Sequence, residues 1–312
     1  MPTPTVYKFS VAPYSAVLGP DDNIWLFGNG ITVISKSGVL VETYSSGYTI
    51  RNGFVISGDL WTFAAESTTV TYLASLTSTG AQTNVVNVDS GSGPNSTFVF
   101  YISGVFPVVV PSPFGYTLNE YDSAGTNVLS VGVPFFGQWL IEGPDGNIWS
   151  SYNNDGYMVT VSGTVTTYTN LFPSGNVGNG VYTNINAGSY MLMSDFTTGA
   201  GLWKVTTAPV ATKVSYSSTS KTNSLAIGAD GFLYVLDNDT TTNAYGTLWQ
   251  IDLSTLTVVG SVACPAVNTG DSSPWQCIYS DGTYLWMVNQ QSSVCRWSGL
   301  VPRSLAQLVM PL

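Results

Sequence analysis

The chain reads as all-β, a seven-bladed propeller of four-stranded antiparallel blades spanning residues 1–312 as one domain and closed by its N-terminal strand. Three observations predict this. The heptapeptide Gly19-Pro20-Asp21-Asp22-Asn23-Ile24-Trp25 returns as Gly143-Pro144-Asp145-Gly146-Asn147-Ile148-Trp149, and a unit recurring at a fixed period marks a repeat architecture. The 261 residues from Trp25 to Trp286 make six intervals of about 43, and the 124 from Trp25 to Trp149 make three of about 41. Both fit the roughly 40–50 residues of a propeller blade. Finally, 32 glycines, 16 prolines and a Thr/Ser/Val/Tyr background interrupt any helical stripe and favour short alternating strands.

The elements follow in order. Thr5-Val6-Tyr7-Lys8-Phe9-Ser10 reads as the outermost strand of a blade whose other strands lie near the C-terminus; pairing there would clasp the ring and remove a raw sheet edge. Each strong copy then has the same parts. A short apolar run (Ser15 to Leu18; Gln138 to Ile141) enters a Pro-Asp turn, where proline presets φ and Asp, Asn or Gly accept the dihedrals that follow. A strand closed by tryptophan comes next, then a Gly/Asn loop, a third strand (Ile31 to Ser35; Tyr157 to Val161), a Ser-Gly turn and a Thr/Val/Tyr strand (Val39 to Tyr44; Val165 to Thr169). Weaker copies open at Phe54, Leu225 and Cys277, and degenerate ones span Phe98 to Val105 and Val181 to Met191. A six-bladed count would discard one degenerate copy and leave an awkward long connection. The mildly helical Ser304 to Leu308 is too short to matter.

Composition bounds the function. A 33.1 kDa chain with 44% hydrophobic residues should fold to about 12,500 Å² of surface from about 48,000 Å² when extended. No apolar run reaches 18 residues, so no membrane span is expected, and the first twenty residues show no secretory signal. Only 26 of 312 residues are charged, far below a quarter to a third of surface positions. Two readings stand. Either the protein is extracellular and tolerates low charge, or it packs into a larger assembly through outer strands at Val128 to Val131, Lys213 to Tyr216 and Thr257 to Val262. A net charge of −10 speaks against nucleic acid or an anionic membrane as partner.

Catalytic groups are scarce. The chain has no histidine, which removes His-based triads, imidazole bases and histidine-ligated metals. Cys264, Cys277 and Cys295 lack metal spacing and read as buried free thiols. Asp21, Asp22, Asp145, Asp230 and Asp281 share one turn position, where an Asx hydrogen bond to the backbone is expected. Glu142 is the acid placed nearest the channel. Asp237-Asn238-Asp239 with Asn243 could offer oxygen ligands to Ca²⁺, though a solvated loop serves the same residues. Asn95 and Asn238 head glycosylation triplets, which arise readily by chance in such a chain.

The unit from Pro13 through Gly19-Pro20-Asp21-Asp22-Asn23-Ile24-Trp25, with Gly30-Ile31 and Ser37-Gly38-Val39 behind it, resembles one blade of the virginiamycin B lyase (streptogramin lyase) family; Gly143 to Tyr168 resembles it too. The resemblance implies a seven-bladed propeller. It also implies lyase chemistry built on histidines, a carboxylate and Mg²⁺, and this chain has no histidine to supply it. Fold alone does not fix function.

A ligand would sit where the loops converge around the channel. Those loops carry Tyr48, Arg51, Phe135, Gln138, Asp239, Tyr245 and Trp275, aromatics beside amides and acids that suit a sugar. Packing of the loops on one another is the plain alternative. Val108, Val109 and Val110, between two prolines, read as an apolar loop contacting a neighbour. The expectation is a non-enzymatic structural or adhesive propeller without a cofactor. A bacteriophage virion component (tail, fibre or head decoration) that meets other subunits, or surface glycans, fits it best. A glycan-binding lectin-like propeller and an Mg²⁺-dependent lyase are the alternatives.

Overall fold

The structure, a computed structural model, describes residues 4–9, 13–44, 49–56, 59–65, 71–77, 82–89, 104–112, 115–136, 140–173, 177, 185–195, 201–216, 222–237, 245–266, 275, 277–289 and 293–297. They form seven separate antiparallel sheets in chain order. The chain opens with β1 (Thr5–Lys8), and blade 1 is β2 (Pro13–Leu18), β3 (Ile24–Gly28), β4 (Ile31–Ile34) and β5 (Leu40–Tyr44). Blade 2 is β6 (Thr49–Ile56), β7 (Asp59–Ala65), β8 (Thr71–Leu76) and β9 (Gln82–Asp89). Blade 3 has three described strands, β10 (Phe106–Ser112), β11 (Gly115–Tyr121) and β12 (Asn127–Val133). Blade 4 is β13 (Leu140–Glu142), β14 (Ile148–Tyr152), β15 (Asp155–Val159) and β16 (Val165–Tyr168). Blade 5 is β17 (Ile185–Asn186), β18 (Met191–Ser194), β19 (Leu202–Val205) and β20 (Ala211–Val214). Blade 6 is β21 (Thr222–Ile227), β22 (Leu233–Asp237), β23 (Thr247–Asp252) and β24 (Thr257–Ala263). Blade 7 is β25 (Cys277–Ser280), β26 (Leu285–Val288) and β27 (Ser293–Trp297), and β1 supplies its outermost strand.

The core lies between blades rather than within one. Six apolar clusters are described, and each joins side chains of two adjacent sheets. Trp25 and Phe27 of blade 1 meet Ile50 and Leu60 of blade 2, while Ile24 and Leu26 meet Trp286 and Val288 of blade 7. A second strand is therefore covered on both faces by its neighbours, and β3, β18, β22 and β26 are buried throughout. Such strands carry continuous apolar runs instead of alternation.

That rule corrects one expectation. Val108, Val109 and Val110 belong to β10 rather than to a loop, with Val108 and Val109 fully buried and Val110 half-buried. The turn from β11 to β12 repeats the third-to-fourth-strand turns: Thr126 N donates to Asp122 Oδ1 (2.8 Å) as Val39 N does to Ser35 Oγ (3.1 Å) and Thr164 N to Thr160 Oγ1 (3.0 Å). So β10 holds the second-strand place in blade 3. The expected first strand of that blade, Phe98 to Val105, lies almost wholly outside the described residues. An apolar segment between prolines looks like a solvent-shy loop in sequence, but here it is the interior strand of a stack.

Glu120 of β11 is buried in the same blade, and burial pushes its carboxyl above the usual value. A raised acid pKa in the folded state favours the protonated form. Its contribution to stability is full below the unfolded pKa and lost as pH rises through the folded one. Glu120→Gln mimics the protonated acid. It should raise the melting temperature by about 2–4 °C at pH 7, a gain that vanishes near pH 4 in paired thermal melts.

Candidate functional site

The two ends of the ring are chemically distinct. One end carries the turns from first to second and from third to fourth strands. Here the four Asp-turn residues behave as the sequence suggested: Asp21, Asp145, Asp230 and Asp281 each accept a backbone N–H two residues on, from Asn23 (3.3 Å), Asn147 (3.2 Å), Phe232 (3.2 Å) and Thr283 (2.7 Å). The turns also do something the sequence reading missed. The same carboxylates accept the indole N–H of Trp25 (2.8 Å), Trp149 (3.1 Å) and Trp286 (2.8 Å), and the hydroxyl of Tyr234 (2.7 Å). Burial pushes Asp21 upward, but the bonds from Asn23 and Trp25 outweigh it and hold the carboxyl below its usual value. The acids at this end are structural locks. Asp22 stands apart, exposed and paired with Lys36 at 2.6 Å.

The other end, where blades connect, is where a ligand was expected. Trp275 is fully buried in the cluster between blades 6 and 7, with its N–H donating to Pro265 O at 2.8 Å. This corrects the expectation of an exposed ring for a sugar: once its one polar atom finds a carbonyl, the indole is a core residue. Tyr245 is half-buried against the same cluster. Phe135 is half-buried on Tyr157, centroids 5.0 Å apart at 64°, with Tyr152 at 6.1 Å. Tyr48, Gln138 and Asp239 lie outside the described residues, as do Asn238 and Asn243 of the proposed Ca²⁺ loop.

Arg51 lies within β6, at a register shift between Ile50 and Asn52. The same shift occurs in β2 at Tyr14 and in β21 at Asn223. A bulge of this kind re-aims a side chain, and its recurrence in three blades makes it a feature of the repeat. Gln138 precedes Trp149 by the same eleven residues that separate Tyr14 from Trp25, which gives it the equivalent place in the sequence.

A buried polar group at this end was not anticipated. Asp195 accepts the indole N–H of Trp203 at 2.7 Å, and its backbone carbonyl accepts from Thr222 N at 3.0 Å. Asp237 accepts from Trp249 at 3.3 Å. Asn223, buried, donates to Trp275 O at 3.3 Å, and its Oδ1 has no partner. The only sequence signal for these was a polar residue closing an apolar second strand, as at Asp195, Asp237 and Asn289.

The arrangement can hydrogen-bond and pack, and among the described residues its cysteines are not activated as nucleophiles. Burial pushes the Cys277 thiol up to about 12 and raises those of Cys264 and Cys295, which keeps all three protonated and inert. Among the described residues no three His, Cys, Asp or Glu side chains stand close enough to share a metal ion. Glu142 ends β13 half-buried.

No protein-family model and no curated protein sequence matches the chain. Solved structures do. Virginiamycin B lyase from Staphylococcus aureus superposes with a TM-score of 0.73 at 13% identity, covering 95% of this chain and 99% of that one. A streptogramin B lyase structure gives 0.73 at 13%, covering 95% and 98%. A chain of the mitotic checkpoint complex gives 0.69 at 12%, covering 95% and 92%. At such identities the likeness carries the propeller fold, and chemistry has to be argued from the residues.

Proposed function

We propose that this chain is a non-catalytic structural or adhesive propeller, one subunit of a larger particle of the bacteriophage type, working through protein–protein or host-surface contact. The observation that carries the reading is the surface. Twenty-six charged residues serve 12784 Å², roughly one per 490 Å², well short of what keeps a solitary domain soluble. Exposed aliphatic side chains stand on the outermost strands β5, β12 and β24. Support also comes from the missing histidine and from carboxylates already engaged by indole N–H groups. The lyase alternative lacks the histidines its family resemblance calls for.

The test is compositional. Particles purified from the source should contain the chain at a fixed copy number by quantitative mass spectrometry. The isolated chain should leave a streptogramin ring intact in the presence of Mg²⁺. A chain found only as a free monomer, or one that opens the ring, ends the proposal.

A further inference from the structure

We propose that the turn end of the ring is the docking face, and that its occupant is a neighbouring protein surface carrying aliphatic side chains among lysines and arginines. This deepens the assembly reading and rests on it. The argument begins with where exposed apolar surface falls. Among the described residues ten large hydrophobic side chains are exposed, and eight sit in a third-to-fourth-strand turn or in the first half of a fourth strand. Blade 1 places Val39, Leu40 and Val41 there, blade 3 Val128, blade 4 Val161, blade 5 Val210, and blade 6 Val258 and Val259, all between 41% and 78% exposed. Blade 2 differs: the side chain described in the first half of its fourth strand is the exposed Thr83.

The upper halves of the same strands differ. Thr43 in β5, Ser130 in β12, Thr167 in β16, Lys213 in β20 and Ser261 in β24 are exposed there, with only the small Gly132 and Ala263 beside them in β12 and β24. An outermost strand is expected to show some apolar atoms, but that would not confine them to one end in five blades. Contacts between blades put these turns on a common rim. Tyr7 OH of blade 7 donates to Ser37 O of blade 1 (3.1 Å), and Tyr190 OH of blade 5 donates to Leu253 O of blade 6 (2.6 Å). Leu129 of blade 3 lies over Gly163 of blade 4, 2.9 Å from where a Cβ would stand.

Charge selects the occupant. The described turns at this end carry Asp21, Asp22, Asp122, Asp145, Asp230, Asp252 and Asp281 against Lys36 alone. Two copies meeting by this face would oppose acid to acid, and nucleic acid or an anionic bilayer would be repelled. A surface that presents aliphatic groups between basic ones satisfies both the rim and its acids, and its affinity should fall with salt.

Two measurements test this. The first uses the isolated chain and a synthetic peptide of alternating lysine and valine, followed by calorimetry. Saturable, salt-sensitive binding is expected, at least 10-fold weaker in the Val161→Lys, Val210→Lys double variant. Both sites are exposed, so the melting temperature should stay within about 2 °C of the parent. An absence of binding, or equal binding by the variant, overturns the docking face whatever the particle contains. The second labels carboxyl groups with carbodiimide and glycine ethyl ester in the free chain and in the particle. Asp22, Asp122 and Asp252 should be protected by assembly while Asp155, at the opposite end, stays labelled. Protection of Asp155 alone overturns the face and leaves the assembly reading standing; a particle without the chain removes the assembly reading and leaves the first measurement to decide.

Discussion

A chain lacking residues 1–9 should melt about 6 °C below the parent in scanning calorimetry and should self-associate on standing. The reason is the seam between blades 7 and 1. Strand β1 pairs β27 in a continuous antiparallel register from Thr5 with Arg296 to Lys8 with Ser293, and its loss exposes the unpaired edge of β27, a template for intermolecular pairing. Val6 packs on the cluster between blades 6 and 7, and Tyr7 and Phe9 on the cluster between blades 7 and 1. At about 1.5–3 kcal/mol for each large apolar side chain, reduced for half burial, the three contribute on the order of 4 kcal/mol. A domain of 312 residues loses roughly 1.5 °C per kcal/mol.

Two further contacts close the seam. The ring of Tyr7 lies on Gly38, where a Cβ would stand 2.1 Å from Cζ, so only glycine fits in that turn. The Arg296 guanidinium lies 4.8 Å from the Tyr284 centroid, 5.9 Å from that of Tyr7 and 6.0 Å from that of Trp286, and it donates to Lys36 O. Tyr7→Phe, which removes the hydroxyl that donates to Ser37 O, should cost about 1 kcal/mol and so separates the hydroxyl from the strand. A truncated chain that melts with the parent would show that the ring closes by other means.

The contrast between blades shows what a sequence can disclose here. Blades 1 and 4 were legible because turn, tryptophan and tyrosine recur at one spacing, and each part has a geometric duty. Trp25 stacks on Tyr44 at 5.9 Å and Trp149 on Tyr168 at 5.5 Å, nineteen residues on in both cases. Blade 3 hid its second strand, because Pro107 and Pro111 bracket the valines and proline in a strand interior argues against one. Trp275 misled for another reason. It precedes a first strand, the place of a connecting loop, and nothing local shows that blades 6 and 7 close over it. The buried Asp195 and Asn223 were illegible since their partners, Trp203 and Trp275, lie 8 and 52 residues away, and long-range hydrogen bonds leave no periodic trace. Burial between blades is a property of the ring, whereas turn chemistry is a property of seven residues.

Trp149→Ala should be the most damaging single substitution, lowering stability by about 3–5 kcal/mol in urea titrations, as large-to-small changes at fully buried aromatics do. Trp149 is buried among Ile141, Met191, Met193 and Trp203 of the blade 4–5 cluster, and it also holds the Asp145 turn. Three milder variants divide that cost. Trp149→Phe keeps an aromatic but removes the donor to Asp145, leaving the carboxylate its two bonds from Asn147 (3.2 and 2.9 Å); about 1–2 kcal/mol is expected. Asp145→Ala leaves a buried indole N–H without a partner and frees the turn, at about 1–3 kcal/mol. Gly143→Ala would drive a Cβ to 2.6 Å from Trp149 Cδ1, overpacking at about 1–3 kcal/mol. Because indole, carboxylate and glycine form one contact, the Gly143→Ala, Trp149→Phe pair should cost less than the sum of its parts, by 0.5 kcal/mol or more. Strict additivity would show that turn and tryptophan act separately, and the Asp-to-Trp lock would then be a coincidence of packing rather than the unit this fold repeats.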